Sequence, residues 1–149
     1  MADLTTTLTE SVTLNGAIRG TTNTITTTGI VDVFERILTC AHSNTTTIAT
    51  FASTPHASAG ALDVENTKYI RVTNLSTTED LRVAFVGTAS LYEIVLRAGA
   101  SHILFQAEEI LEGEEDTTPG FPTLEDLVTV QARPHATTDV QVEMFVALV

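Results

Sequence analysis

Lysine occurs once in 149 residues, at Lys68, cysteine once, at Cys40, and tryptophan not at all. A single cysteine cannot close an internal disulfide, so the chain is not a secreted scaffold stapled by bridges. With no Trp and only two Tyr, it is poor in the aromatic platforms on which sugars stack. Seven basic residues face 19 acidic ones, a formal net charge of −12. No basic stripe is present to neutralise phosphates, which argues against nucleic acid as a partner. The same sign of charge opposes an anionic membrane surface, and no run approaches the ~20 apolar residues of a membrane-spanning helix. The stretch "MADLTTTLTE" lacks the charged-then-apolar order of a secretion signal, and cytoplasmic synthesis is the expectation.

What is abundant is threonine, with 28 residues, a β-branched type that suits pleated surfaces. Hydrophobic residues make up 43%, charged residues 17%, and mean hydropathy is +0.19, the composition of a folded domain rather than a disordered chain. A soluble monomer usually covers itself in Lys and Glu. A neutral, Thr-rich exterior therefore points to a surface covered by neighbours. The charge is uneven: residues 1–75 carry 6 acids and 4 bases, residues 76–149 carry 13 and 3.

Period-2 alternation recurs along the whole chain. Leu4, Thr6, Leu8, Glu10, Val12 and Leu14 fall on one side of an extended segment that stops at Asn15-Gly16, a strong hairpin signal. In "GIVDVFERILTC", Ile30, Phe34, Leu38 and Cys40 share one face and Val31, Val33, Ile37 and Ala41 the other, which predicts a strand covered on both sides. "TTTIATFAS" follows, then a longer connection at 54–67. "TKYIRVTNLSTTEDLRVAFVG" reads as two strands about a polar turn, and "LYEIVLRAGASHILF" as two more about Gly99. An acidic, loop-rich insertion follows, with a helical turn expected at Thr123, where Asp126 completes a capping-box spacing. "LVTVQA" and "DVQVEMFVALV" close the chain, with Val140, Val142, Met144, Val146 and Leu148 on one face. The prediction is an all-β chain: a single antiparallel β-sandwich of eight to ten strands, jelly-roll-like, spanning 1–149. It carries an extended N-terminal segment at about 1–14 and an acidic loop at about 106–122.

Motifs for chemistry are missing. No nucleophile elbow, P-loop, dinucleotide fingerprint, C-x-x-C or H-E-x-x-H occurs. His42, His56, His102 and His135 are far apart in sequence and lack the H-x-H spacing of cupin metal sites. The run "EEILEGEED" (108–116) is dense in carboxylates, but no D-x-D-x-D-G pattern organises them for Ca²⁺. It reads as a solvated loop or a contact for a basic partner. Cys40 lies in a doubly apolar strand, as an inert buried thiol does. Asn44-Thr45-Thr46 and Asn74-Leu75-Ser76 match the glycosylation sequon and are discounted without a secretion signal. The expectation is no catalytic, cofactor-binding or metal-binding residue, and no enzyme.

The stretch "LTESVTLNGAIRGTTNTITTTGIVDVFERILT" resembles the opening of small structural proteins of tailed-bacteriophage virions, where such a strand pair precedes a self-pairing β element. "YIRVTNLSTTEDLRVAFVG", followed by "LYEIVLRAGASHILF", is similar to a phrase in virion β-sandwiches, with Asn74, Gly87, Gly99 and Phe105 at its marked positions. The resemblance covers about two-thirds of the chain and carries no catalytic residue with it. It implies a capsid cement (decoration) protein, or a tail or head-neck subunit. It further implies a virion location after synthesis in a host cytoplasm. The implied partners are other copies of the chain, as a trimer or hexamer, and a major capsid protein. The long alternating first and last segments are then candidate edge strands for pairing with a neighbour. Two further classes stay open: a carbohydrate- or ion-binding sandwich near the 106–122 loop, and a sandwich enzyme whose His or carboxylate groups converge in space.

Overall fold

Side chains on a pleated strand point alternately to opposite faces, so a chain of alternating β-branched and polar residues builds sheets with one apolar side. The computed structural model describes residues 1–113, 120–121 and 123–149. Its strands are β1 (Ala2–Thr9), β2 (Val12–Leu14), β3 (Ala17–Arg19), β4 (Thr22–Ile30), β5 (Asp32–Cys40), β6 (Thr46–Ala52), β7 (Ala61–Asp63) and β8 (Thr67–Asn74). They continue with β9 (Leu81–Val86), β10 (Leu91–Leu96), β11 (Ser101–Leu104), β12 (Leu111–Glu112), β13 (Leu124–Glu125), β14 (Thr129–Pro134) and β15 (Val140–Leu148). A single 3-10 turn, Pro55–Ala57, precedes β7.

Nine strands form the body. A front sheet runs β10-β9-β14-β6-β7 and a back sheet β11-β8-β15-β5. All pairings are antiparallel except the short parallel contact of β6 with β7. The eight strands other than β7 can be counted in chain order from β5 to β15, leaving out β12 and β13. The back sheet is then first-eighth-third-sixth, and the front sheet second-seventh-fourth-fifth. Among these eight strands, only β9 and β10 follow one another within the same sheet.

The inner faces meet in one core. Ile48, Phe51, Leu81, Val83, Phe85 and Val130 come from the front; Ile70, Val72, Val140, Val142, Met144 and Val146 come from the back. Each such side chain contributes on the order of 1.5–3 kcal/mol by leaving water. The fold class is therefore the all-β, antiparallel, sandwich-like one that the alternation predicts.

Three sequence expectations need correction. The last segment is not an edge: β15 is paired on both sides, by β8 and by β5, and Val142 is fully buried. A charge placed at Val142 therefore tests folding rather than association. The strand β5 is the edge instead, and its outward face is bare, with Val31, Val33 and Ile37 all exposed. Apolar residues on both faces did not mean cover on both faces. Finally, Thr123–Asp126 forms no helical turn, because Leu124 and Glu125 pair with Glu112 and Leu111 as β13 and β12.

Candidate functional site

The first thirty residues leave the body as an arm. Asn15 and Gly16 both take positive φ, 51° and 78°, the pair of conformations that a two-residue type I′ turn requires. From that turn the two legs run in unbroken register. Leu14 faces Ala17 and Val12 faces Arg19; the Glu10 N–H donates to the Thr21 carbonyl at 2.9 Å; Thr9 faces Thr22, and so on back to Leu4 opposite Thr27. Eleven residues per leg at ~3.3 Å each make a ribbon ~35 Å long.

Constant register gives the ribbon two distinct faces. One presents the pairs Thr5/Thr26, Thr7/Thr24 and Thr9/Thr22, all threonine. The hydroxyls of Thr7 and Thr24 lie 3.2 Å apart and those of Thr9 and Thr22 3.3 Å apart. The other presents Leu4, Leu8, Val12 and Leu14 with Ile25 and Ala17. At its root this face is anchored. Leu4 and Ile30 pack against Tyr69, Phe145 and Ala147 on the outside of the back sheet, and Tyr69 meets Phe145 edge-on at 5.9 Å. Ile30 thus joins this outer cluster rather than the inner face it shares by parity with Phe34 and Leu38. Beyond the root no described residue covers the ribbon: Leu8 is 57% exposed and Ile18 80%. A two-stranded hairpin without a packed face is marginal in water.

The four histidines do not converge. His102 sits against Phe85 and Tyr92, its Nε2 3.2 Å from the Tyr92 hydroxyl. Burial pushes its pKa down and lifts that of Tyr92 to about 12. His56 lies in the 3-10 turn. His42 and His135 line one cleft, of ≈ 430 Å³, together with Arg82 and Arg133. His42 Nδ1 is 2.8 Å from Asp139. Among the described residues, no three His, Cys, Asp or Glu side chains are grouped to hold a metal ion.

Other sequence candidates are structural. Cys40 is fully buried; desolvation raises its thiol pKa against a weaker opposing hydrogen bond from Thr46, the reverse of what a nucleophile needs. Asn74 is also wholly buried, so its sequon is closed to modification in the folded chain. Of the acidic run, Glu114, Glu115 and Asp116 lie outside the described residues. Glu109 is tied through its backbone N–H to Asp126 at 2.9 Å, and Glu112 accepts from the Gly120 N–H at 3.2 Å. A comparison with protein-family models and with curated proteins finds no match to this chain. Among the described residues, no helix is long and apolar enough to cross a membrane. The feature that sequence reasoning missed is the second leg of the ribbon. Its signal was present as threonine at every second position from Thr22 to Thr26.

Proposed function

We propose that this chain is a non-enzymatic structural component of a tailed-bacteriophage particle, a capsid cement protein that holds a lattice together through contacts between subunits. The observation that carries the reading is the arm: a ribbon ~35 Å long with Leu8, Val12, Leu14 and Ile18 in water and no core of its own. Two strands are ~10 Å wide, so the two faces together offer a footprint of ~700 Å². That is close to the ~800 Å² each partner gives in an interface of standard size. The occupants this reading assigns are other copies of the chain, in a trimer or hexamer, and a major capsid protein in the virion. We also read the first-eighth-third-sixth and second-seventh-fourth-fifth winding as that of a jelly roll, an architecture found in viral capsid domains among others. Folds host many functions, so the arm and not the winding bears the weight.

The test is absolute mass by light scattering on the full chain at micromolar concentration, beside the Leu8→Asp variant. The expected result is a closed oligomer that Leu8→Asp dissociates, with thermal unfolding of the monomeric body unchanged. A parent chain that stays monomeric alone and on purified phage capsids, indifferent to Leu8→Asp, would overturn the reading. A closed ring that binds no capsid would move the assignment to a tail or head-neck position.

A further inference from the structure

Of the four edge strands of the body, β5 is the longest: nine residues, against six in β10, four in β11 and three in β7. It pairs with β15 without a break from Asp32 to Cys40, and no described strand lies on its other side. The Leu75 N–H bonds to the Gln141 carbonyl, so odd-numbered residues of β15 turn to β8 and even-numbered ones to β5. By the same alternation, Val33, Glu35, Ile37 and Thr39 of β5 turn their N–H and C=O groups to the open side. The strand has no Lys, Pro or bulge to blunt such an edge. Among the described residues, the one side chain bonded to that row is Asp32, whose Oδ1 accepts from the Val33 N–H at 2.8 Å.

Two exposed charges on this edge, Asp32 and Arg36, make no ion pair among the described residues. Four residues apart, they share the face of β5 that also carries Phe34 and Leu38. A lone charge on the inner face of an edge strand discourages pairing. An opposite charge on the same face selects a register instead. Two antiparallel copies of β5 with their two-fold axis at Phe34 set Asp32 opposite Arg36 of the second copy, twice. The same register sets Val31 opposite Ile37 on the outer face, where both are bare. An axis at Glu35 or at Arg36 brings two like charges face to face, which opposes pairing. An axis at Val33 leaves Arg36 opposite Ile30. Neighbouring acids do not spoil the match. Glu35 meets Val33 of the second copy, Glu143 is held by Arg71, and Asp63 accepts from Glu65 and Asn66.

We infer that β5 pairs with β5 of a second copy about a two-fold axis at Phe34, joining two back sheets into one of eight strands. The inference rests on the reading of the chain as a self-assembling particle component and names a contact separate from the arm. The contact is isologous, so it stops at two copies and leaves the arms to extend the assembly. The seven residues from Val31 to Ile37 give an edge ~23 Å long and ~10 Å deep, or ~230 Å² per copy. That is well under the ~800 Å² of a standard interface. The pair is weak between free copies, and it gains once the arms already hold the copies together.

Sedimentation equilibrium of the full chain carrying Leu8→Asp, at up to about 0.5 mM as so small a contact requires, reads this pairing without the arm. The Leu8→Asp chain is expected to dimerise. Adding Arg36→Asp or Asp32→Arg should lower its association constant roughly tenfold or more through two ion pairs lost to repulsion. Each variant is checked for an unchanged melting curve. An equimolar mixture of the two should recover association, and so should the doubly exchanged Asp32→Arg/Arg36→Asp chain, since both restore opposite charges at every facing position. Association that ignores these exchanges, or a mixture that recovers nothing, overturns the pairing. A parent oligomer that Leu8→Asp reduces to monomers at every concentration overturns it too and leaves the arm reading standing. Charge rescue beside a parent mass that ignores Leu8→Asp supports the pairing and removes the arm as an interface.

Discussion

Asn74 uses its whole side chain to close one end of the sandwich. Its Nδ2 donates to the Glu79 and Leu96 carbonyls at 2.8 and 3.0 Å, and its Oδ1 accepts from the Ser76 N–H at 2.9 Å. One amide thereby holds the exit of β8, the 75–80 turn and the end of β10. Asn74→Ala takes the donor from the buried Leu96 carbonyl and from the half-buried Glu79 carbonyl, at about 2–3 kcal/mol. That corresponds to a fall in melting temperature of roughly 4–10 °C for a chain of this size. Asn74→Asp should be worse, since a carboxylate cannot donate to either carbonyl and is charged as well. Equal melting temperatures for parent and Asn74→Asp at pH 7 would show that the site is wet.

Glu125 plays the matching part at the arm end. Its carboxylate accepts from the Ala89 and Ser90 backbone N–H groups, at 3.0 and 2.9 Å, and from the Ser90 hydroxyl at 3.1 Å. Partial desolvation pushes its pKa up. The donors of Ser90, Ala89 and Thr88 together outweigh that effect and hold it below the ordinary 4.5. A carboxylate with a depressed folded pKa binds fewer protons folded than unfolded, so its contribution is complete above 4.5 and is lost as pH falls through the folded value. His102 acts earlier. Its imidazole is held below the ordinary 6.5 by burial, so acid begins to draw the unfolded state ahead below 6.5. Denaturant midpoints should therefore decline in two stages on acidification, and Glu125→Gln should flatten only the lower one. A single unbroken decline, identical in Glu125→Gln, would mean that the β9–β10 turn does not depend on that carboxylate.

At the scale of elements, the arm shows both what a sequence declares and what it withholds. Asn15-Gly16 declared the turn, and the alternation Leu4 to Leu14 declared one face. That the second leg pairs all the way back, leaving a free-standing ribbon, was not legible. Period-2 alternation states which side of a strand is apolar, not which strand lies beside it. The same limit explains β15 and β5. Both are long and apolar on one or two faces, yet one is the most enclosed strand of the back sheet and the other its open edge. The spacing Thr123 to Asp126 met the rule for a helix cap and lost to two cross-strand pairs, because local propensity is a weak prior against tertiary pairing.

The ribbon has one position where the backbones leave no room. Gly20 sits at φ 124°, and a Cβ there would collide with the Glu10 carbonyl of the facing leg. Gly20→Ala is therefore expected to part the legs around Glu10 and Thr21, while the body melts within about 0.5 kcal/mol of the parent. Cross-strand Hα–Hα contacts by NMR would report it. Contacts that persist between Thr9 and Thr22 in the variant would show that the ribbon bends to accept a methyl group.

For the molecule as a whole, the two structural layers differ in what stabilises them. The sandwich closes a continuous core from two sheets, whereas the ribbon beyond Leu4 has cross-strand hydrogen bonds and almost no buried apolar area. Opening free energies should follow that division, since local stability tracks burial rather than hydrogen-bond count. In dilute solution, amide exchange in the ribbon beyond its root, from Thr7 to Thr24, should approach the unprotected rate, while β8, β9 and β15 exchange only on global unfolding. At concentrations where copies associate, Leu8, Val12 and Ile25 should gain protection by at least tenfold, because the partner supplies the cover that this chain does not. An arm already as protected as β15 in the dilute monomer would mean that the ribbon is stable alone, and its exposed leucines would then need no second subunit.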